Sequence, residues 1–158
     1  LDIKRVLQNS VEGCRVYAYE NKGYTAFISS INSYFDFNMD LMKKEVRDEL
    51  FNPQHPIYTK VRDDAPSRYG LASRVKNSII AQGCVIDGEV ENCVIFRGIK
   101  VEKGAKVIDS VIQPGAVIRE GATVTRCIVA DDIEVPAGAT FGSKNSKEIK
   151  LVAGQESE

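Results

Sequence analysis

The sequence predicts a mainly β fold, a parallel β-helix over residues 75–142 preceded by a small α/β segment, and three observations predict it. The first is an internal repeat. Rows beginning at Asn77, Asn92, Asp109 and Arg126 read NSII, NCVI, DSVI and RCIV; the last three start 17 residues apart, and the first row is two residues shorter. A repeat of that length marks a stacked architecture, in which each unit buries its apolar face only against the next. The second is a finer rhythm of about six residues, carried by Ile80, Ile86, Ile95, Val101, Val107, Ile112, Ile118, Val124, Val129 and Val135, with Phe141 closing the run. Two residues before each of these stands a small or β-branched side chain: Ser78, Cys84, Cys93, Ile99, Ala105, Ser110, Ala116, Ala122, Cys127, Ile133 and Ala139. A spacing of two sets both on one face of a strand. The third is punctuation by Gly83, Gly88, Gly98, Gly104, Gly115, Gly121 and Gly138, expected where a sharp bend needs positive φ. Three short strands per row make a triangular coil whose strands pair about 4.8 Å above and below.

The remaining elements follow in chain order. Residues 1–13 are expected to close an element begun elsewhere, with strands over 14–19 (CRVYAY) and 24–28 and a turn between them. Ser29 or Ser30 is placed to cap a helix whose broad apolar face carries Ile31, Tyr34, Phe35, Leu41, Met42, Val46 and Leu50, ending before Pro53. Two strands and a helix cannot close a core by themselves, so residues 1–52 are expected to be the end of a larger domain. A linker follows over 53–74, then the β-helix over 75–142 and a polar tail over 143–158. Ile149, Leu151 and Val152 in that tail suit a last strand covering the open coil.

Composition narrows the function. With 158 residues, 43% of them hydrophobic, the chain can bury a core, and a net charge of −1 argues against a general nucleic-acid binder. No apolar run approaches the roughly 20 residues that span a bilayer, and the start is not a signal peptide, so a cytoplasmic protein without membrane contact is expected. Cys84, Cys93 and Cys127 fall in the inward small-residue positions, and Cys14 precedes a strand. Lacking CxxC spacing, they read as reduced core residues and not as metal ligands or disulfides.

The coils resemble the left-handed β-helices built from hexapeptide repeats, and the left hand is what that resemblance implies. A second resemblance lies upstream. GYTAFISSINSYFDFNMDLM over 23–42, followed by PIYTK over 56–60, is similar to the junction of bacterial glucose-1-phosphate adenylyltransferases, which make ADP-glucose for glycogen. Gly23, Tyr24, Tyr34, Asn38, Met39, Asp40 and Leu41 keep that family's pattern, approximately GYWxDVGTxxxYxxxNMDL. The departures are Thr25 for Trp, Phe27 for Asp and Ser29-Ser30 for Gly-Thr. In active members, the resemblance implies, that Asp helps to hold magnesium between nucleotide and sugar phosphates. Magnesium takes oxygen ligands, and a phenyl ring has none. Asp36, the nearest carboxylate downstream, belongs to the helix. The departures and the linker PIYTKVRDDAPSRYG therefore resemble the non-catalytic GlgD-type subunit, which implies a parent inactive alone, without catalytic or metal-binding residues or a cofactor in this segment. An active sugar-phosphate nucleotidyltransferase stands as the alternative.

A hexapeptide-repeat acyltransferase is the less favoured alternative. Such enzymes generally use a coil His as base, which must reach the group it deprotonates, and the one His here is His55 in the linker NPQHP. A subunit without catalysis acts through its partners, expected to be a catalytic adenylyltransferase subunit or further copies of itself. Lys60, Arg62, Arg68 and Arg74, with Lys76 beyond, gather cations where related enzymes bind anionic effectors; Asp63 and Asp64 among them allow a self-paired, solvated linker instead. Strict alternation also turns Ile79, Val94, Val111 and Ile128 outward, an apolar column that needs cover. That cover is either an adjacent domain of the same chain, including the helix over 31–50, or an interface with another subunit.

Overall fold

The computed structural model describes residues 3–11, 13, 15, 17–60, 62–146 and 148–154. Cys14 and Val16, in the strand expected over 14–19, and residues 155–158 of the tail lie outside the described residues. Three five-stranded parallel sheets form the walls of a prism. The first contains β1 (Arg68–Tyr69), β4 (Val85–Ile86), β7 (Lys100–Val101), β10 (Val117–Ile118) and β13 (Glu134–Val135). The second contains β2 (Arg74–Lys76), β5 (Glu89–Glu91), β8 (Lys106–Ile108), β11 (Thr123–Thr125) and β14 (Thr140–Phe141). The third contains β3 (Ile79–Ile80), β6 (Val94–Ile95), β9 (Val111–Ile112), β12 (Cys127–Val129) and β15 (Lys150–Val152). The fold is thus a hexapeptide-repeat parallel β-helix, and β1 pairs with β4 ahead of Val75, inside the stretch read as linker.

The rows and the register coincide. Ile79 lies beside Val94, Val94 beside Val111 and Val111 beside Ile128. The expected inward residues from Ile86 to Val135 are buried apart from Ile133, which is half-buried, and Val90, absent from the six-residue rhythm, is buried with them. Its strand arrives early because only Asp87 and Gly88 join β4 to β5, where four residues, 102–105, join β7 to β8. Gly88 is therefore not among the positive-φ residues as expected. A Cβ there would meet the Ala105 carbonyl oxygen at 2.4 Å, so it is close approach that requires glycine.

Between the second and third sheets the chain turns on Asn77, Asn92, Asp109 and Arg126, the four row starts, all at positive φ. Asn and Asp tolerate that region better than most side chains. Asn77 donates to Asn92, and Asn92 donates to Asp109 at 2.7 Å, which ties successive coils along this edge.

Ahead of the prism lie α1 (Ile3–Ser10), α2 (Ile31–Asp40) and α3 (Lys44–Leu50). Ser30 is the N-cap of α2: its hydroxyl accepts from the Ser33 amide, and its own amide donates to the Ser33 hydroxyl, which completes a capping box. The single helix expected over 31–50 is broken at Leu41–Lys43: Leu41 caps α2, and Arg47 of α3 donates to the Leu41 and Met42 carbonyls at 2.7 and 2.6 Å. The strand expected over 24–28 is not formed, since no described strand pairs with that stretch.

Candidate functional site

The outward column is where the helical segment meets the prism. Phe35 of α2, 5% exposed, packs with Val94, Val111 and Ile128, and Tyr34, Met39, Met42, Phe96 and Ile149 close around them. Of the two covers left open by the sequence, the chain's own helix occupies these three residues. Ile79, the fourth of the column, stays half-buried in β3 and outside the cluster. Strands apolar on both faces are covered on both, and α2 and Ile149 supply the second cover.

Polar contacts fix the helix in register. Gln113 of the prism donates from Nε2 to the Tyr34 hydroxyl, and Asn38 Nδ2 donates to the Tyr34 carbonyl at 2.8 Å. Tyr24 donates its phenolic hydrogen to Asp40 at 3.0 Å, while Glu49 of α3 accepts from the Tyr24 amide. Lys43 binds Asp40 at 2.6 Å and, with the Tyr24 hydroxyl, holds that carboxyl below its usual range. Tyr24 is shifted up by desolvation and by its bond to Asp40, so the neutral phenol is favoured. Every one of these junction residues except Gln113, Glu49 and Lys43 belongs to the pattern over 23–41. That pattern serves here to seat α2.

Phe27, by contrast, lies outside the described strands and helices, with 64% of its surface exposed. Its ring offers no oxygen where the resemblance places a magnesium ligand, and Asp36 is on the exposed side of α2. The residues at this position do not fit the ion. No group of three or more His, Cys, Asp or Glu arranged to hold a metal occurs among the described residues.

A second feature is a groove of about 730 Å³ along the corner between the third and first sheets. Its floor is a column of glycines, Gly83, Gly98 and Gly115, all at positive φ and so without side chains to fill it. Arg62 and Arg97 line its upper part, Gln113 and Pro114 its middle, and Asp131 and Asp132 its lower end. Lys60 joins Arg62, Arg97, Asp63 and Asp64 around an adjoining hollow of about 440 Å³. The structure therefore brings Lys60 and Arg62 together and adds Arg97, which the sequence reading missed because it sits inside the repeat. Arg68 in β1 of the first sheet and Arg74 in β2 of the second are exposed and line neither the groove nor the hollow; Arg74 stands beside Glu89. Lys76 pairs with Glu91 at 2.7 Å, and Asp64 approaches Arg97 at 3.7 Å, so part of the positive charge is spent within the chain.

The remaining candidates line neither the groove nor the hollow beside it. His55 sits in an exposed turn, its amide bonded to the Asn52 carbonyl at 3.0 Å. Cys84, Cys93 and Cys127 are buried free thiols, and burial pushes Cys93 up to about 12. No helix among the described residues is long and apolar enough to cross a membrane.

Comparisons with known proteins agree with this geometry. The family described as "GlmU-like, C-terminal hexapeptide" matches residues 59–156. The glycogen biosynthesis protein GlgD of Bacillus subtilis is 43% identical over 105 residues, 66% of this chain and 31% of that protein. The glucose-1-phosphate adenylyltransferase of Bacillus cytotoxicus is 33% identical over 143 residues, covering 90% of this chain and 38% of its own length. That of Acetivibrio thermocellus is 36% identical over 132 residues, 83% and 31% respectively. The chain thus spans about a third of the length of these relatives. It belongs to the GlmU-like C-terminal hexapeptide family and is similar to the C-terminal part of glucose-1-phosphate adenylyltransferases and of GlgD.

Proposed function

We propose that this chain is the C-terminal region of a non-catalytic, regulatory subunit of glucose-1-phosphate adenylyltransferase in glycogen biosynthesis. It acts through association with catalytic subunits or further copies of itself, and through an anionic effector held in the corner groove and its adjoining hollow by Lys60, Arg62 and Arg97. The observation that carries the reading is a division within one motif. Tyr24, Tyr34, Asn38, Met39 and Asp40 keep the family pattern: Tyr34 and Met39 hold α2 on the prism, and Tyr24, Asn38 and Asp40 bond within the helical segment. Thr25 and Phe27, between them, depart from it where a metal ligand is expected. Loss of catalysis with retention of the docking contacts is what a regulatory subunit requires, and the 43% identity to GlgD supports that branch.

The test uses the full-length protein containing this chain, alone and mixed with a catalytic adenylyltransferase. Alone it should form little or no ADP-glucose, and in the mixture it should change the catalytic subunit's rate or its response to anions. Phe27→Asp by itself should not restore synthesis, because Thr25 and Ser29 also differ. Turnover by the isolated protein at an ordinary enzyme's rate would establish the catalytic alternative.

A further inference from the structure

We infer that Gln113 couples the corner groove to α2, so that an anion seated by Arg62 and Arg97 tightens the hold of the prism on the junction helix. The inference rests on the effector reading of that groove and adds how occupancy is transmitted. Gln113 is shared by the two features: it lines the groove, and its Nε2 donates to the hydroxyl of Tyr34 on α2. Its backbone cannot drift, because its amide bonds the Val129 carbonyl at 2.9 Å within the third sheet. Only the side chain can respond. The amide group has two N–H donors and one carbonyl, so the bond to Tyr34 leaves a donor and an acceptor for a ligand. An oxyanion that binds the arginines and accepts the second N–H therefore holds the amide in the orientation that Tyr34 uses.

Tyr34 is well placed to pass this on. Phe35, its neighbour, is buried on the outward column, and Asn38 donates to the Tyr34 carbonyl at 2.8 Å. The same Tyr34 and Asn38 line a shallow apolar hollow with Tyr24, Ile28 and Leu41. The ligand recognised is a compact anion with several acceptor oxygens, for which inorganic phosphate is the probe.

Amide exchange across residues 31–41 of the full chain, with phosphate or with chloride at equal ionic strength, tests the coupling. Phosphate should shift the amide resonances of Gly98 and Gly115 and slow exchange in α2 about fivefold, the factor that one hydrogen bond of ordinary net strength gives. In Tyr34→Phe, which keeps the ring and loses the hydroxyl, phosphate should still shift the two glycine amides. By linkage its affinity should fall by about the same factor, and α2 exchange should no longer respond. A response of α2 in Tyr34→Phe equal to that of the unaltered chain would overturn the coupling and leave the site standing. Glycine amides unmoved by phosphate in the unaltered chain would remove the effector site itself, and the coupling with it.

Discussion

At the scale of single residues, the corners decide more than the strands do. The inward positions were legible because a two-residue alternation repeated in register admits one reading, and Ile86, Ile112, Ile118 and Val129 are fully enclosed as it requires. The corners were legible only in part. Asn77, Asn92 and Asp109 are residue types that tolerate positive φ, a signal present at the row starts, whereas Arg126 carries no such mark. Ser110 shows what an inward small residue adds: its hydroxyl donates to the Ile108 carbonyl at 2.7 Å and accepts from the Cys127 amide at 3.2 Å. Gly88 was misread because its need for glycine comes from the carbonyls of the next coil, which no local pattern records. Gly98 and Gly88 should therefore respond differently to alanine. At Gly98 nothing lies within 4 Å of an added Cβ, and the cost is that of a left-handed residue, about 1–2 kcal/mol. At Gly88 the Cβ would meet the Ala105 and Glu102 carbonyl oxygens at 2.4 and 2.8 Å, so backbone must move, at a cost of about 3 kcal/mol or more. Urea midpoints of the two variants measure the difference, and equal midpoints would refute the distinction.

At the scale of elements, the informative contrast is between α2 and the stretch before it. The apolar column Val94, Val111 and Ile128 implies a cover, since period-two strands with both faces apolar are not left in water. It did not say which segment supplies the cover, because contacts separated this far along the chain leave no periodicity. The break at Leu41–Lys43 was also hidden: Leu41, Met42, Val46 and Leu50 keep helical spacing across it, and Arg47 closes the interruption by bonding the Leu41 and Met42 carbonyls that follow α2. Residues 24–28 alternate like a strand but form none, so propensity alone did not make one. Phe35 is the one residue of α2 that is fully enclosed, and it should therefore carry most of the docking energy. Phe35→Ala should cost about 3–5 kcal/mol, but the loss should fall on the junction and not on the coils. Limited proteolysis should then release the segment before residue 60 while the β-sheet circular dichroism stays intact. Loss of the sheet signal in the same variant would mean that α2 is part of the prism's own folding unit.

At the scale of the whole molecule, the chain is a one-dimensional stack, and such stacks are vulnerable at their ends. Each interior coil is satisfied by the coil on either side, through register bonds such as Val94 to Ser110 and Gln113 to Val129 at 3.0 and 2.9 Å. The lower end needs another solution. The tail provides it for the third sheet: β15 pairs with β12, bringing Val152 over the end of the core with 8% exposure. The apolar residues in an otherwise polar tail had pointed to such a strand. What they did not reveal is that Ile149, just before it, packs against the cluster of Phe35, Val94, Val111 and Ile128, so that one segment closes the coil and completes the seat of α2. Removing everything after Ser143 should consequently have two effects. Uncovering Val129 and losing Val152 and Ile149 should cost about 1.5–3 kcal/mol for each buried aliphatic removed, and the freed edge of β12 should recruit other chains. Sedimentation velocity should show concentration-dependent association of the truncated chain, together with faster proteolysis ahead of residue 60. Restoring 143–152 with Val152→Lys should return the Ile149 contact but not the cap, separating protection of α2 from self-association. If both properties instead followed Val152 alone, the tail would act only as a cap, and its part in seating the helix would be refuted.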